Sequence, residues 1–256
     1  MDLAKYHAAT ITARQDLGSD LWTARLRLPL PFIFQPGQYA TLATEDDEGV
    51  HERPYSIVSS PAEEELEFFF ELVPHGEVTP RLYKLQVGDT VYVRRSAKGL
   101  FVLDRKRGHS CHLMVSTVTG IAPFMSMLRS WARDQAWAPA GTRIVLIHAG
   151  SRSWEFGYAD ELLGLAKSLG VELVLSVSRP WEDADWRGER GRAEDLVRKY
   201  ADAAGFQPGQ TAAYLCGHPQ MIENVKGILA RCGYAKPDLH EEIYFILPKA
   251  ASGART

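Results

Sequence analysis

Cysteine is scarce in this 256-residue chain: Cys111, Cys216 and Cys232 are the only three, and no two stand in a C-x-x-C spacing. That excludes a disulfide framework, a structural zinc site and a bound iron–sulfur cluster, which needs several thiolate ligands. No metal is therefore expected. Long apolar runs are missing too. Nothing approaches the roughly 18 uninterrupted apolar residues needed to span a bilayer, and Met1-Asp2-Leu3-Ala4-Lys5 has neither the basic start nor the apolar core of a secretory signal. No membrane association and a cytoplasmic location are the expectations. Basic runs of the kind that bind nucleic acid are absent as well, as are internal repeats and low-complexity tracts.

What remains is an ordinary globular balance of 45% hydrophobic and 24% charged residues. At about 150 residues per domain the length corresponds to roughly 1.7 domains. The net charge of -3 conceals an asymmetry. Residues 1–104 carry 10 Lys+Arg against 16 Asp+Glu, and the remainder carries 19 against 16. The second part thus has arginines available for an anionic ligand, although a solvated surface would give the same excess.

The two parts follow different patterns. Residues 1–104 alternate short β-rich runs, such as 21–28, 38–42, 55–58, 66–73 and 90–93, with Gly/Pro/Asp breaks. Many short strands at this spacing predict an antiparallel β-barrel or sandwich, with one short helix over 78–83. Residues 105–256 instead alternate apolar strands (113–116, 144–148, 171–177, 212–216) with helical patterns near 123–134, 159–169, 193–203 and 221–231. That alternation predicts an α/β domain with a parallel sheet, whose ligands bind at the carboxyl edge of the strands. The joint is placed in Asp104-Arg105-Lys106-Arg107-Gly108.

Several segments carry candidate chemistry. Thr117-Val118-Thr119-Gly120-Ile121-Ala122-Pro123-Phe124 links a strand to a helix, whose free N–H groups could hold a pyrophosphate. It lacks the full G-x-G-x-x-G form, and a plain turn would read the same. Gly217-His218-Pro219-Gln220 stands likewise after the strand ending in Cys216, a residue that either borders a flat ring or is simply buried. Arg152, Arg179 and Arg192 follow predicted strand ends, where converging guanidinium groups suit a phosphate dianion. In the first part, Arg53-Pro54-Tyr55-Ser56 enters a strand after the acidic segment 45–52, offering a phosphate ligand, an aromatic cover and a hydroxyl donor. His75-Gly76-Glu77-Val78-Thr79 forms a second turn of the kind that contacts phosphate.

In order and separation, Arg53-Pro54-Tyr55-Ser56, Gly76-Glu77-Val78-Thr79, Thr119-Gly120-Ile121-Ala122-Pro123-Phe124 and Cys216-Gly217-His218-Pro219-Gln220-Met221 resemble the ferredoxin–NADP reductase family, in particular its compact bacterial branch. The resemblance spans nearly the whole chain. It implies an FAD-binding β-barrel (1–104), then an NADP-binding α/β domain (105–256), in a monomer that passes hydride from NADPH to FAD and single electrons to ferredoxin or flavodoxin. It further implies that Arg53 contacts the FAD pyrophosphate, that Pro54 belongs to the cofactor site, that Tyr55 packs on the isoalloxazine and that Ser56 lies near its N5. Gly76, Val78 and Thr79 would contact the flavin phosphates, Thr119 and Gly120 the NADPH pyrophosphate, and Cys216 with Gly217 the nicotinamide; Tyr55, Ser56 and Cys216 are the catalytic assignments. Arg152, Arg179 and Arg192 would form the 2′-phosphate pocket, with no acidic residue evident at Gly150-Ser151-Arg152-Ser153 to favour NADH.

Two departures from the family pattern stand out. Val118 occupies a position where glycine is usual, and the chain continues past Tyr244-Phe245, near where relatives end on an aromatic residue over the flavin. Two other enzymatic readings, an oxygenase reductase component or an NAD(P)H–flavin reductase, share this architecture, and a non-catalytic flavin-binding module is the alternative from a different class. Arg94, Arg95, Lys98, Arg105, Lys106 and Arg107 form a candidate basic docking patch for an acidic carrier.

Overall fold

The computed structural model describes residues 3–244. Its first part is a six-stranded sheet, β1 (Tyr6–Asp16), β2 (Leu21–Arg27), β3 (Tyr39–Asp46), β4 (Gly49–Ser56), β5 (Leu66–Glu71) and β6 (Thr90–Arg94), with the short helix α1 (Thr79–Lys84) before β6. The strand order is β4-β3-β6-β1-β2-β5 and every pairing is antiparallel. The sheet curls until its two ends meet, where Val58 N, just beyond β4, donates to the Glu67 carbonyl of β5 at 2.8 Å. Inside the curl Trp22, Leu26, Leu42, Ile57, Phe68 and Val93 are almost wholly buried.

The second part comprises β7 (Cys111–Thr117), α2 (Ala122–Arg133), β8 (Arg143–Gly150), α3 (Ala159–Leu169), β9 (Glu172–Val177), β10 (Glu189–Arg190), α4 (Ala193–Ala203), β11 (Thr211–Gly217), α5 (Pro219–Arg231) and β12 (Leu239–Ile243). All its strands are parallel, in the order β10-β9-β8-β7-β11-β12. Helices α4 and α5 cover one face and α2 and α3 the other. The α2/α3 core is continuous with Leu21, Val58, Phe69 and Phe101 of the first part, so one apolar mass joins the two sheets.

Four features differ from the sequence reading. Strand β1 went unread because only Tyr6, Ala9 and Ile11 of its eleven residues are buried, and a register slip between Ile11 and Ala13 breaks the alternation. Strand β12, with two glutamates and a histidine in five residues, has the composition of a loop. The acidic segment 45–52 is a hairpin: Asp46 pairs with Gly49, whose φ of +120° suits a residue without Cβ. The strand expected over 55–58 belongs instead to the end of β4, and Ile57 and Val58 leave it.

Candidate active site at the meeting of the two sheets

Strand β7 is the switch point of the parallel sheet: the chain leaves it for β8 on one side, and β11 arrives on the other. Their exits touch. A Cβ on Gly120 would stand 2.3 Å from the Cys216 carbonyl oxygen, and one on Gly217, at φ +126°, 2.2 Å from Thr117 Oγ1. His218 N donates to that same Thr117 Oγ1 at 2.8 Å. These glycines therefore serve close backbone approach, and the Gly120 segment is a buried 3-10 turn (Val118–Ile121) whose last step spends the Ala122 N–H on the Thr119 carbonyl. The expectation of a row of free N–H groups there is corrected accordingly.

Val118 adopts φ +45°, the sole positive value at a non-glycine among the described residues. A β-branched side chain is disfavoured there by about 1–2 kcal/mol. The usual preference for alanine over glycine should therefore reverse. Val118→Gly is expected to be more stable than Val118→Ala by about 1 kcal/mol, measured by urea unfolding; an equally or more stable alanine variant would refute the strain.

Parallel register sets Glu242 of β12, Cys216 of β11, Ser116 of β7 and His148 of β8 in one row on one face of the sheet. Burial holds His148 neutral, its imidazole pushed down to about 3, and Ser116 Oγ lies 2.9 Å from its Nδ1. Cys216 is fully buried, and burial beside Glu242 raises its thiol well above the ordinary range, so it stays protonated and supplies no thiolate. Its catalytic assignment narrows to shape and polarity.

The first sheet enters this row through Ser56. Ser56 Oγ donates to Glu242 Oε2 at 2.9 Å and accepts from the Tyr244 hydroxyl at 3.0 Å, which also lies 3.5 Å from the Thr119 carbonyl. Ser56, Thr119, Gly120, Cys216, Gly217 and Tyr244 thus converge, together with Glu242, which the sequence reading missed. The available signal was E-x-Y at 242–244, running into the aromatic pair Tyr244-Phe245. Phe245 lies outside the described residues.

Burial pushes the Glu242 carboxyl from 4.5 up to about 7. A raised carboxyl binds its proton more tightly folded than unfolded, so its contribution is complete below pH 4.5 and is lost as the pH climbs through about 7. Over that window it amounts to roughly 3 kcal/mol at most. Glu242→Gln is expected to flatten that part of the stability–pH curve between pH 5 and 8; an unchanged slope in melting experiments would remove Glu242 as its source.

Tyr55 projects from the opposite pleat of β4 to Ser56 and meets Phe70 edge to face, with ring centroids 5.0 Å apart. Arg53 and Pro54 are exposed. Arg53 Nη2 bonds Glu77 Oε2 at 2.5 Å, which brings it beside the Gly76–Thr79 turn. That turn is closed by Gly76 N to the Val73 carbonyl (2.8 Å) and by Val73 N to Thr79 Oγ1 (3.0 Å). Val78 is 2% exposed, with its side chain packed in the first core and its carbonyl accepting from Arg81 N and Leu82 N, both at 3.0 Å. Nearby, Asp46, Glu48 and His51 have the donor types of a metal site, but Arg81 bonds both acids and Glu77 bonds His51, so each donor already has a protein partner.

Arg152, Arg179 and Arg192 stand at the exits of β8, β9 and β10, and the chain links them: Arg179 N donates to the Ser151 carbonyl and Gly191 N to that of Val177, both at 3.0 Å. The basic patch expected for docking is largely engaged elsewhere. Arg94 pairs with Glu52, Arg95 with the Ala4 carbonyl, Arg105 with that of Trp137 and Arg107 with Asp238.

A curled antiparallel sheet joined to a switch-point parallel sheet, with polar groups of both meeting at the seam, defines a two-domain flavin- and nicotinamide-binding oxidoreductase. The family descriptions that match are an oxidoreductase FAD-binding domain over residues 8–101 and an oxidoreductase NAD-binding domain over 114–227. The ferredoxin–NADP reductase of Pseudomonas aeruginosa is 30% identical over 215 residues, covering 78% of this chain and 80% of that protein. The chain belongs to the ferredoxin–NADP reductase family. The ferredoxin–NAD(P)+ reductase component of the Pseudomonas putida naphthalene 1,2-dioxygenase system is 29% identical over 249 residues, covering 94% and 70%. A crystal structure of a Neisseria gonorrhoeae ferredoxin NADP+ reductase with bound FAD and NADP superposes with a TM-score of 0.83 at 26% identity, covering 94% of this chain and 99% of that one. Among the described residues no helix is long and apolar enough to cross a membrane.

Proposed function

We propose that this protein is a ferredoxin (flavodoxin)–NADP reductase of the cytoplasm, with its FAD held by residues 1–104 and NADPH by residues 105–256. The meeting of Ser56 with Glu242 and Tyr244 across the seam carries this reading, because it puts exchangeable protons of both domains at one point. The residues present fit the two cofactors. An exposed guanidinium beside a tight turn suits a pyrophosphate, a half-covered tyrosine suits a flat ring, and two strand exits in contact through glycines suit a nicotinamide. Bound FAD supplies what no side chain can, taking two electrons together from NADPH and releasing them singly.

The protein's own groups orient and shield. Arg53 and the main chain of Gly76, Val78 and Thr79 hold the flavin's phosphates, and Pro54 and Tyr55 fix the ring end. Ser56 presents a hydroxyl whose proton is exchangeable with Glu242, and at neutral pH that half-protonated carboxyl can take or return it. Thr119 and Gly120 face the NADPH pyrophosphate, and Cys216 and Gly217 border the nicotinamide with no competing nucleophile, since the thiol stays protonated. Tyr244 closes the seam, and Arg152, Arg179 and Arg192 receive the 2′-phosphate. Single electrons pass to ferredoxin or flavodoxin. The test is stopped-flow mixing of the purified flavoprotein with NADPH, followed by a ferredoxin: fast bleaching of the yellow flavin and then carrier reduction are expected, and bleaching without any carrier reduction would leave only a flavin reductase.

A further inference from the structure

The 2′-phosphate pocket holds an anion of the protein's own. Arg152 Nε donates to Glu182 Oε2 at 2.6 Å, and its Nη2 pairs with the same oxygen. Arg179 Nη1 lies 3.6 Å from the other oxygen, Glu182 Oε1. One carboxylate is thus shared by two of the three guanidinium groups assigned to the phosphate. Glu182 ends a short 3-10 turn, Pro180–Glu182, that follows β9, and Asp183 beside it accepts from Ser153 N at 3.0 Å. The turn is therefore pinned to the exit of β8, with Glu182 directed at Arg152. Glu155 supplies a second carboxylate, accepting from Ser151 N at 2.6 Å and lying 3.3 Å from Arg152 Nη1. Scanning 150–153 for an acidic residue missed all three, because they arrive from positions 155, 182 and 183.

We propose that Glu182 is the residue that sets cofactor selectivity, acting as a built-in competitor for the 2′-phosphate so that the site accepts NADH as well as NADPH. The inference rests on the assignment of Arg152 and Arg179 to that phosphate. A dianion entering between the two arginines must displace Glu182 from both, or tolerate a like charge against it, and either offsets much of the gain from its own hydrogen bonds. NADH makes no such demand. Its 2′-hydroxyl can instead donate to the Glu182 carboxylate, as ribose hydroxyls do to acidic residues in NADH sites. Arg152 is three-quarters covered and Glu182 two-thirds covered, so their pairing is stronger than that of an open surface pair.

The test uses the FAD-loaded protein, with 2′-phospho-AMP and 5′-AMP as probes and with NADPH and NADH turnover measured in parallel. Glu182→Gln keeps the shape and removes the charge. The ratio of 2′-phospho-AMP to 5′-AMP affinity, and that of kcat/KM for NADPH to NADH, should each rise about tenfold, the scale of one charge-assisted hydrogen bond. Glu182→Ala should shift both in the same direction. Ratios within twofold of wild type, or weaker 2′-phospho-AMP binding because Glu182 was ordering Arg152, would overturn the proposal. Arg152→Ala separates this failure from that of the underlying assignment. A selective loss of NADPH with no effect of Glu182→Gln defeats only the competitor role, whereas equal losses of NADPH and NADH mean that Arg152 does not bind the 2′-phosphate at all.

Discussion

A Ser56→Ala variant should reduce its flavin with NADPH about 100- to 1000-fold more slowly than wild type, the range seen when one preorganised donor is removed from a reacting centre. Ser56 is the sole side chain of the first sheet that hydrogen-bonds both Glu242 and Tyr244 among the described residues. Without its hydroxyl the Glu242 carboxyl and the Tyr244 phenol lose their common partner at a buried position. The rate should fall while FAD stays bound, because on the proposed assignment Arg53 and the Gly76–Thr79 turn would hold the phosphates independently of Ser56. Stopped-flow reduction at saturating NADPH reads the effect directly. A rate within threefold of wild type, with flavin content unchanged, would show that Ser56 merely fills space.

The legibility of this chain followed its physical pattern. Strands β7, β8 and β11 are covered on both faces and read as continuous apolar runs, and α2 to α5 begin or end on Pro, Gly or charged caps, so the parallel domain was visible from sequence. Strand β12 was not, and with it went Glu242. An edge strand rich in acidic residues carries no apolar alternation, and its pairing with β11 is settled by tertiary contact. The arginines at the strand exits were readable as a set because parallel strands discharge at one edge. Their carboxylate partners were not, since Glu182 reaches Arg152 across 30 residues by a turn whose geometry no local spacing encodes. Val118 was noticed as a departure from a glycine, and its left-handed backbone supplies the reason that glycine is usual there.

The largest expected stability loss lies away from the chemistry, at Arg129 of α2. Its side chain is only 9% exposed and ties the two sheets together: Nη1 bonds Glu67 of β5 at 2.8 Å, while Nε and Nη2 grip Glu161 of α3 at 2.6 and 2.8 Å. Tyr158 completes the knot, with its hydroxyl on Glu67 Oε1 at 2.8 Å and its ring 5.4 Å from the guanidinium. Glu161 is 41% exposed at the mouth of an open cleft of about 760 Å³, so water can replace its partner, whereas Glu67 is 7% exposed and keeps only the Tyr158 hydroxyl and Arg25 Nη2 at 3.1 Å. Arg129→Met should therefore cost about 3 kcal/mol, the low end for breaking a buried ion pair because Arg25 still offsets part of the Glu67 charge, and lower the melting temperature by roughly 10 °C for a chain of this size. Combining it with Glu67→Gln should restore part of the loss, because the stranded charge is then gone. Melting within 2 °C of wild type for the single variant would mean that the apolar contacts of Phe69 and Val58 hold the seam unaided. The same substitution bears on hydride transfer: α2 begins at the Gly120 turn beside Cys216, and Ser126 and Ser130 along it bond Ser59 and Ser60, a few residues beyond Ser56. The clamp that stabilises the fold thus also holds α2 against the strand end that carries Ser56, a member of the candidate site.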